Sequence, residues 1–243
     1  MVVPYWFMSS WYGRLRGLTV ESVPVDLSDE EYRWFVENFF PSGKLRIPGS
    51  LVDKIIDAKN VLKSMKVWVR TDNRSPKDSE FLNFKVKPLI TPRECVLALL
   101  TSERAYEDMV SMRVKRVWLR KWVEMKAEVR AFIRNQELVA VSQYYYRDYD
   151  KFLAKNIHYI LPAYLSTIYD AIQRLENLAK SFVLDLAWVK GEPVIVEVNP
   201  FSQQTDPCLF TWYELSNPPW KTWKLRFIDL TVKEYPSIKV QGP

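Results

Sequence analysis

Asp185 stands alone among apolar residues in Phe182-Val183-Leu184-Asp185-Leu186-Ala187-Trp188-Val189, and Glu197 and Asn199 end a second apolar run, Val194-Ile195-Val196-Glu197-Val198-Asn199. A lone carboxylate in such a run is costly unless it is paired or ligated. Lys190-Gly191-Glu192 separates the two runs and reads as a hairpin turn. With the turn centred on Gly191, Asp185 and Glu197 are equidistant from it and lie opposite each other. Asn199, two residues beyond Glu197, shares its face. Opposed carboxylates repel, and a divalent cation reverses that penalty. Three hard oxygens on one face suit Mg²⁺, with phosphates completing its shell. The competing reading is a polar sheet edge where each acid pairs with a Lys or Arg.

Cations complement these acids on other strands. Glu128 and Arg130 share one face of a strand, with Val129, Ala131 and Ile133 on the other. A turn at Asn135-Gln136 places Gln143 opposite Glu128. Arg70 follows the apolar Val67-Trp68-Val69, and Arg120-Lys121 lie between Val117-Trp118-Leu119 and Trp122-Val123. Strand-borne cations beside apolar residues fit phosphates and an apolar base. A solvated face with surface ion pairs is the plainer alternative for each.

Composition narrows the chemistry. The 243 residues include 6 Gly, 2 Cys and 1 His, with 35 Lys+Arg against 29 Asp+Glu for a net charge of +6. The glycines form neither G-x-G-x-x-G nor a P-loop, so a bound nucleotide must be held by side chains. His158 alone excludes any two-histidine site. Cys95 and Cys208 are too far apart for a CxxC zinc pair, and the chain reads as reduced and cytoplasmic. No apolar stretch is long enough to span a membrane, and Met1 to Phe7 lacks the pattern of a signal peptide. The positive charge points to acidic partners.

The elements that position these residues follow from pattern. Strands are expected at Val2–Met8, Leu18–Val25, Val67–Val69, Phe84–Ile90 and Arg116–Val123. Hairpins are expected at 128–144 and 182–198. Capping boxes at Ser28-x-x-Glu31 and Thr91-Pro92-Arg93-Glu94 open helices, Ser50 caps another, and Ile160–Ser181 is a long amphipathic helix. The order indicates an α+β protein.

Several segments together resemble the cell-division-cycle-123 family. They are Trp11-Tyr12 with Arg14 to Thr19, Val67-Trp68-Val69-Arg70 with Ser75-Pro76-Lys77-Asp78, Glu128 to Phe132, and Val141-Ser142-Gln143. The strongest are Val196-Glu197-Val198-Asn199-Pro200-Phe201, Thr205-Asp206, and Leu209 to Leu215. The resemblance implies an ATP-grasp fold in which two lobes with antiparallel sheets, 1–112 and 113–243, clasp ATP-Mg²⁺. It assigns Arg70 and Arg130 to the phosphates and Arg120 to the adenine, with Lys121-Trp122-Val123 as the hinge beside the base. It assigns Asp185, Glu197 and Asn199 to the metal. It further implies an assembly factor that binds the γ subunit of translation initiation factor 2. The sequence departs from the family in Arg70 and Glu197, which stand for Lys and Asp, in Ser202-Gln203-Gln204, and in Tyr144, which replaces Arg.

Two other functions compete. One is an ATP-grasp ligase that joins a carboxylate to an amine through an acyl phosphate. The other is nucleic-acid binding through Trp220-Lys221-Thr222-Trp223-Lys224-Leu225-Arg226-Phe227, whose rings could stack bases or pack as a core strand. Under the metal reading, Asp185→Ala or Glu197→Ala abolishes Mg²⁺-dependent ATP binding and leaves the fold intact.

Overall fold

A computed structural model describes residues 3–229 and 237–241. The chain opens on a short helix, α1 (Met8–Trp11), where a strand was expected over Val2–Met8. Val2 lies outside the described residues. Pro4 starts a turn that the Phe7 amide closes by donating to the Pro4 carbonyl at 3.0 Å. Trp11 is then fully buried, and its indole N–H donates to the Trp6 carbonyl.

Two compact units follow, one formed by Glu21–Trp122 and the other by the residues on either side of it. The first unit contains β1 (Ser22–Asp26), α2 (Asp29–Asn38), α3 (Gly49–Val61), β2 (Val67–Thr71), α4 (Pro92–Leu100), α5 (Glu103–Tyr106) and β3 (Arg116–Lys121). Its strands form an antiparallel sheet in the order β1-β3-β2. This pairing explains why the division falls after Trp122 and not at 112. β3 completes the first unit's sheet, so it cannot open the second. Val25, Val67, Val69, Val117 and Leu119 pack with Phe35, Leu51, Ile55 and Leu99 in one core.

Both expected capping boxes are present. At α2 the Ser28 hydroxyl accepts from the Glu31 amide at 3.2 Å, and the Glu31 carboxylate accepts from the Ser28 amide at 2.7 Å. Glu31 also accepts from Ser50 at 2.8 Å and pairs with Lys54 at 2.6 Å. Ser50 does not cap α3, because the helix already starts at Gly49 behind Pro48 and Ser50 lies inside its first turn. Phe84–Ile90 is not a strand. Asn83 and Phe84 take left-handed φ angles of 51° and 57°, which break the extended path, and Leu89 makes a single bridge to Val67.

The second unit contains β4 (Lys126–Arg134), β5 (Glu137–Gln143), α6 (Lys151–Leu175), β6 (Phe182–Val189), β7 (Glu192–Pro200), α7 (Trp212–Ser216), β8 (Lys224–Asp229) and β9 (Ser237–Gln241). Its sheet runs β7-β6-β4-β5-β8-β9 and is antiparallel except at β5–β8. α6 starts at Lys151, well before Ile160, because the Asp150 side chain caps it by accepting from the Leu153 amide at 2.8 Å. Its buried face comprises Leu153, Ile157, Ile160, Tyr164, Ile168 and Leu175. Among the described residues no helix is long and apolar enough to cross a membrane.

Burial raises the Glu31 pKa, but Lys54, the Ser28 amide and the Ser50 hydroxyl together outweigh it and hold the carboxyl below its ordinary value. Its contribution is therefore full above the ordinary carboxylate range and fades as pH falls through the lowered one. Glu31→Gln should cost about 1–2 kcal/mol at pH 7. Urea unfolding should show that gap narrowing steadily toward acid pH.

Candidate functional site

Lys190 and Gly191 form a two-residue turn with φ of 51° and 96°, the left-handed pair that matches strand twist and that glycine adopts without strain. Val189 faces Glu192 across it, so the turn is one residue tighter than a Gly191-centred loop. Taken alone, that register would set Asp185 opposite Val196. A β-bulge between Asp185 and Leu186 steps the register past Val196 and restores Asp185 opposite Glu197. The expected juxtaposition is present, reached through a turn and a bulge whose shifts cancel. Asn199 shares the Glu197 face and donates from its amide to the Asp185 carboxylate at 3.0 Å.

The other neighbour of β6 is β4, which sets Arg130 directly opposite Asp185. Arg130 donates from Nε and Nη2 to the two Asp185 oxygens at 2.7 and 2.9 Å. Both side chains are nearly buried, at 7% and 6% exposure. The remaining Arg130 nitrogen, Nη1, donates to the Asp206 carbonyl at 2.7 Å, and the guanidinium lies 4.8 Å from the centre of the Tyr144 ring. Burial disfavours the Arg130 cation, but the Asp185 charge and hydrogen bonds outweigh it and raise its pKa above the ordinary guanidinium value. Burial, with the Asp185 charge adding to it, raises the Tyr144 hydroxyl, and burial pushes the Cys208 thiol up to about 12.

The first hairpin departs from expectation. A bulge between Phe132 and Ile133 leaves Val139 unpaired, so Val129, not Glu128, faces Gln143. Gln143 instead ties down the loop beyond β5, donating to the carbonyls of Tyr145 at 2.7 Å and Asp148 at 2.6 Å. Arg130, Tyr144, Tyr146, Arg147, Asp206 and Cys208 line part of a pocket of about 230 Å³ beside the Arg130–Asp185 pair.

In the other unit, Arg70 faces Trp118 and Arg120 faces Trp68, so all four share one face of the three-stranded sheet. Arg70 donates to the carbonyls of Thr71 at 3.2 Å and Asn73 at 2.5 Å, and Arg120 donates to the Ser22 hydroxyl at 3.2 Å. Lys121 pairs with Glu21 at 2.8 Å. Trp122 packs against Trp68 with ring centres 6.5 Å apart, and Val123 opens the other unit. Sequence reasoning missed Asp108. Fully buried, it accepts from Thr71 at 2.5 Å, Asn73 at 2.9 Å and Arg74 at 2.7 Å, fixing the loop after Arg70. These partners lie 34 to 37 residues from Asp108 in the chain, and no local pattern announces them.

Among the described residues no three His, Cys, Asp or Glu side chains cluster as a metal site. The β6–β7 hairpin offers two carboxylates and one amide oxygen. That donor set is too sparse for an all-protein cage and suited to a cation whose shell a phosphate completes, as is usual for Mg²⁺.

The fold and site define an α+β protein that carries its ionic chemistry on strands, with no glycine-rich loop. The family model of D123 matches residues 50–240, and the chain belongs to that family. The translation initiation factor eIF2 assembly protein of Schizosaccharomyces pombe is 34% identical over 104 residues, covering 41% of this chain and 30% of that protein. Its Danio rerio counterpart is 33% identical over 102 residues, covering 41% and 29%. Cell division cycle protein 123 of Candida glabrata is 31% identical over 119 residues, covering 45% and 32%. The aligned stretch thus spans about 30% of the curated relatives' length. The structure of Cdc123 from Schizosaccharomyces pombe matches with a TM-score of 0.73 at 22% identity, covering 93% of this chain and 98% of that one. The α+β fold expected from the sequence agrees with this match.

The pairing changes one expectation. Asp185→Ala leaves Arg130 buried without its carboxylate and should cost about 3–5 kcal/mol, so it does not spare the fold. In denaturant melts, Arg130→Met with Asp185→Leu should recover most of that loss.

Proposed function

We propose that this chain binds ATP with Mg²⁺ and acts in the cytoplasm as an assembly factor for a translation initiation factor 2 complex, engaging a γ-like subunit. The observation that carries this reading is membership of the D123 family, whose matched relatives are named eIF2 assembly proteins. In this reading Asp185, Glu197 and Asn199 hold the cation, which neutralises phosphate charge when bound. Arg130 fixes the orientation of the Asp185 carboxylate, since two of its nitrogens already serve that group. Arg70 and Arg120 contact phosphate and adenine, with Lys121, Trp122 and Val123 beside the base. These assignments rest on the resemblance.

The ligase alternative gains no support from the relatives' names. The nucleic-acid alternative loses its motive. Phe227 is 2% exposed, and the Trp220 indole donates to the Val139 carbonyl at 3.2 Å, so rings proposed for stacking are built into the fold.

Thermal shift with ATP, ADP and GTP, each with and without Mg²⁺, tests nucleotide binding. Saturation at 100 times Kd should add about 2.7 kcal/mol, a rise of several degrees for a chain of this size. The rise should need Mg²⁺ and should shrink in Glu197→Gln, whose edge-strand position spares the buried pair. No shift with any nucleotide would remove the ATP reading. A pull-down with a γ-like subunit tests the partner separately, and no capture at micromolar protein would count against it.

A further inference from the structure

Two neighbouring segments carry an excess of positive charge. Residues 59–67, Lys-Asn-Val-Leu-Lys-Ser-Met-Lys-Val, contain three lysines and no acid. Residues 84–93, Phe-Lys-Val-Lys-Pro-Leu-Ile-Thr-Pro-Arg, contain two lysines, one arginine and no acid. Together they carry six positive charges, and Glu94, which follows directly, turns its carboxylate back to accept from the Ile90 and Thr91 amides at 2.7 Å. The structure puts the two segments side by side. Val67 and Leu89 exchange backbone hydrogen bonds at 3.0 and 2.8 Å, and the Lys59 ammonium donates to the Ile90 carbonyl.

Between them, past the C-terminal end of α3, lies a groove of about 510 Å³, a size suited to a bound ligand or peptide side chains. Its apolar walls are Ile56, Met65, Ile90 and Pro92, and Lys59 and Lys63 also line it. Ile56, Met65 and Ile90 are 43%, 72% and 47% exposed, and Val86 on the same segment is 51% exposed. Apolar surface of this kind left open beside a polar rim marks an interaction site. Among the described residues Lys63, Lys66 and Lys85 make no ion pair, so their charge is available to a partner.

We propose that this groove docks an acidic segment of a protein partner that carries aliphatic side chains on one face. The cations select the acids, and the aliphatic walls select the aliphatic face. A nucleic acid matches the charge but has no aliphatic groups for these walls to cover, and its bases seek aromatic platforms that the groove does not line. Methionine and lysine suit a peptide site, because Met65 adapts its shape and the lysine stems extend the apolar floor. The inference is independent of nucleotide binding.

Fluorescence anisotropy of the full chain with a labelled peptide of Glu, Asp, Leu and Ile tests it. The comparison ligands are an equally charged peptide of Glu, Asp and Ser, and an oligo(dT) of the same charge. The aliphatic peptide should bind, weaken with added salt, and lose about tenfold or more in affinity in each of Lys63→Glu and Met65→Asp. Both side chains are exposed, and an unchanged Tm verifies that the variants are folded. Three results would each overturn the proposal. These are equal binding of the Ser peptide or oligo(dT), unchanged affinity in both variants, and no binding up to about 1 mM peptide.

Discussion

The buried pair of Arg130 and Asp185 is the constraint around which the larger unit is arranged. Each ion costs several kcal/mol to desolvate, so the pair is tolerable only with near-ideal geometry and further hydrogen bonds. The structure provides both. Two parallel contacts join the charges, Asn199 supplies another donor to the carboxylate, and the Asp206 carbonyl takes the last guanidinium nitrogen. The β4–β6 register, the Asn199 rotamer and the path of the segment at Asp206 are thereby tied to one charge balance. A well-packed apolar pair of similar volume would give this position nearly the same stability.

The same charge balance explains how two acids can face each other on an apolar hairpin. Asp185 lies on an inner strand and has its cation, while Glu197 lies on the edge strand β7 and is only partly buried. Part of that edge is protected from other chains. Ile195 donates to the Leu18 carbonyl at 2.7 Å, and the Thr19 hydroxyl donates to the Ile195 carbonyl at 2.7 Å. An edge strand with free backbone groups invites unwanted pairing, and this local cover limits it. Toward the C-terminal end of the sheet, Arg226 on β8 joins Glu214 at 2.7 Å and lies 4.3 Å from the centre of the Phe210 ring, tying the segment after β7 to the far side of the sheet.

Much of the fold was legible because its signals are local. Ser28 and Thr91, each with a glutamate three residues on, determine two helix starts through bonds that span a single turn. Asn135-Gln136 and Lys190-Gly191 mark hairpins because few residues accept positive φ. Expectations failed where a distant group or an unforeseen backbone turn overrode a residue's local preference. Ser50 suits a cap, but α3 already starts ahead of it and its hydroxyl donates to Glu31. Phe84–Ile90 has strand composition, but left-handed residues at its start leave it one bridge to Val67. The two bulges show the same limit. One spoils the register expected at Gln143, and the other rescues the register expected at Asp185.

By itself the sequence determined the chemical vocabulary of this protein. Its few glycines and single histidine leave strand-borne carboxylates and cations as the means of binding, and an acid placed in an apolar run must find a partner wherever the chain goes. The tertiary structure decided which partner that is. Asp185 and Arg130 are 55 residues apart, and only the antiparallel pairing of β4 with β6 sets them face to face. A local pattern can encode a turn or a cap, because the groups involved lie within a few residues. A buried ion pair across a sheet depends on strand order and bulges, which follow from packing the whole chain.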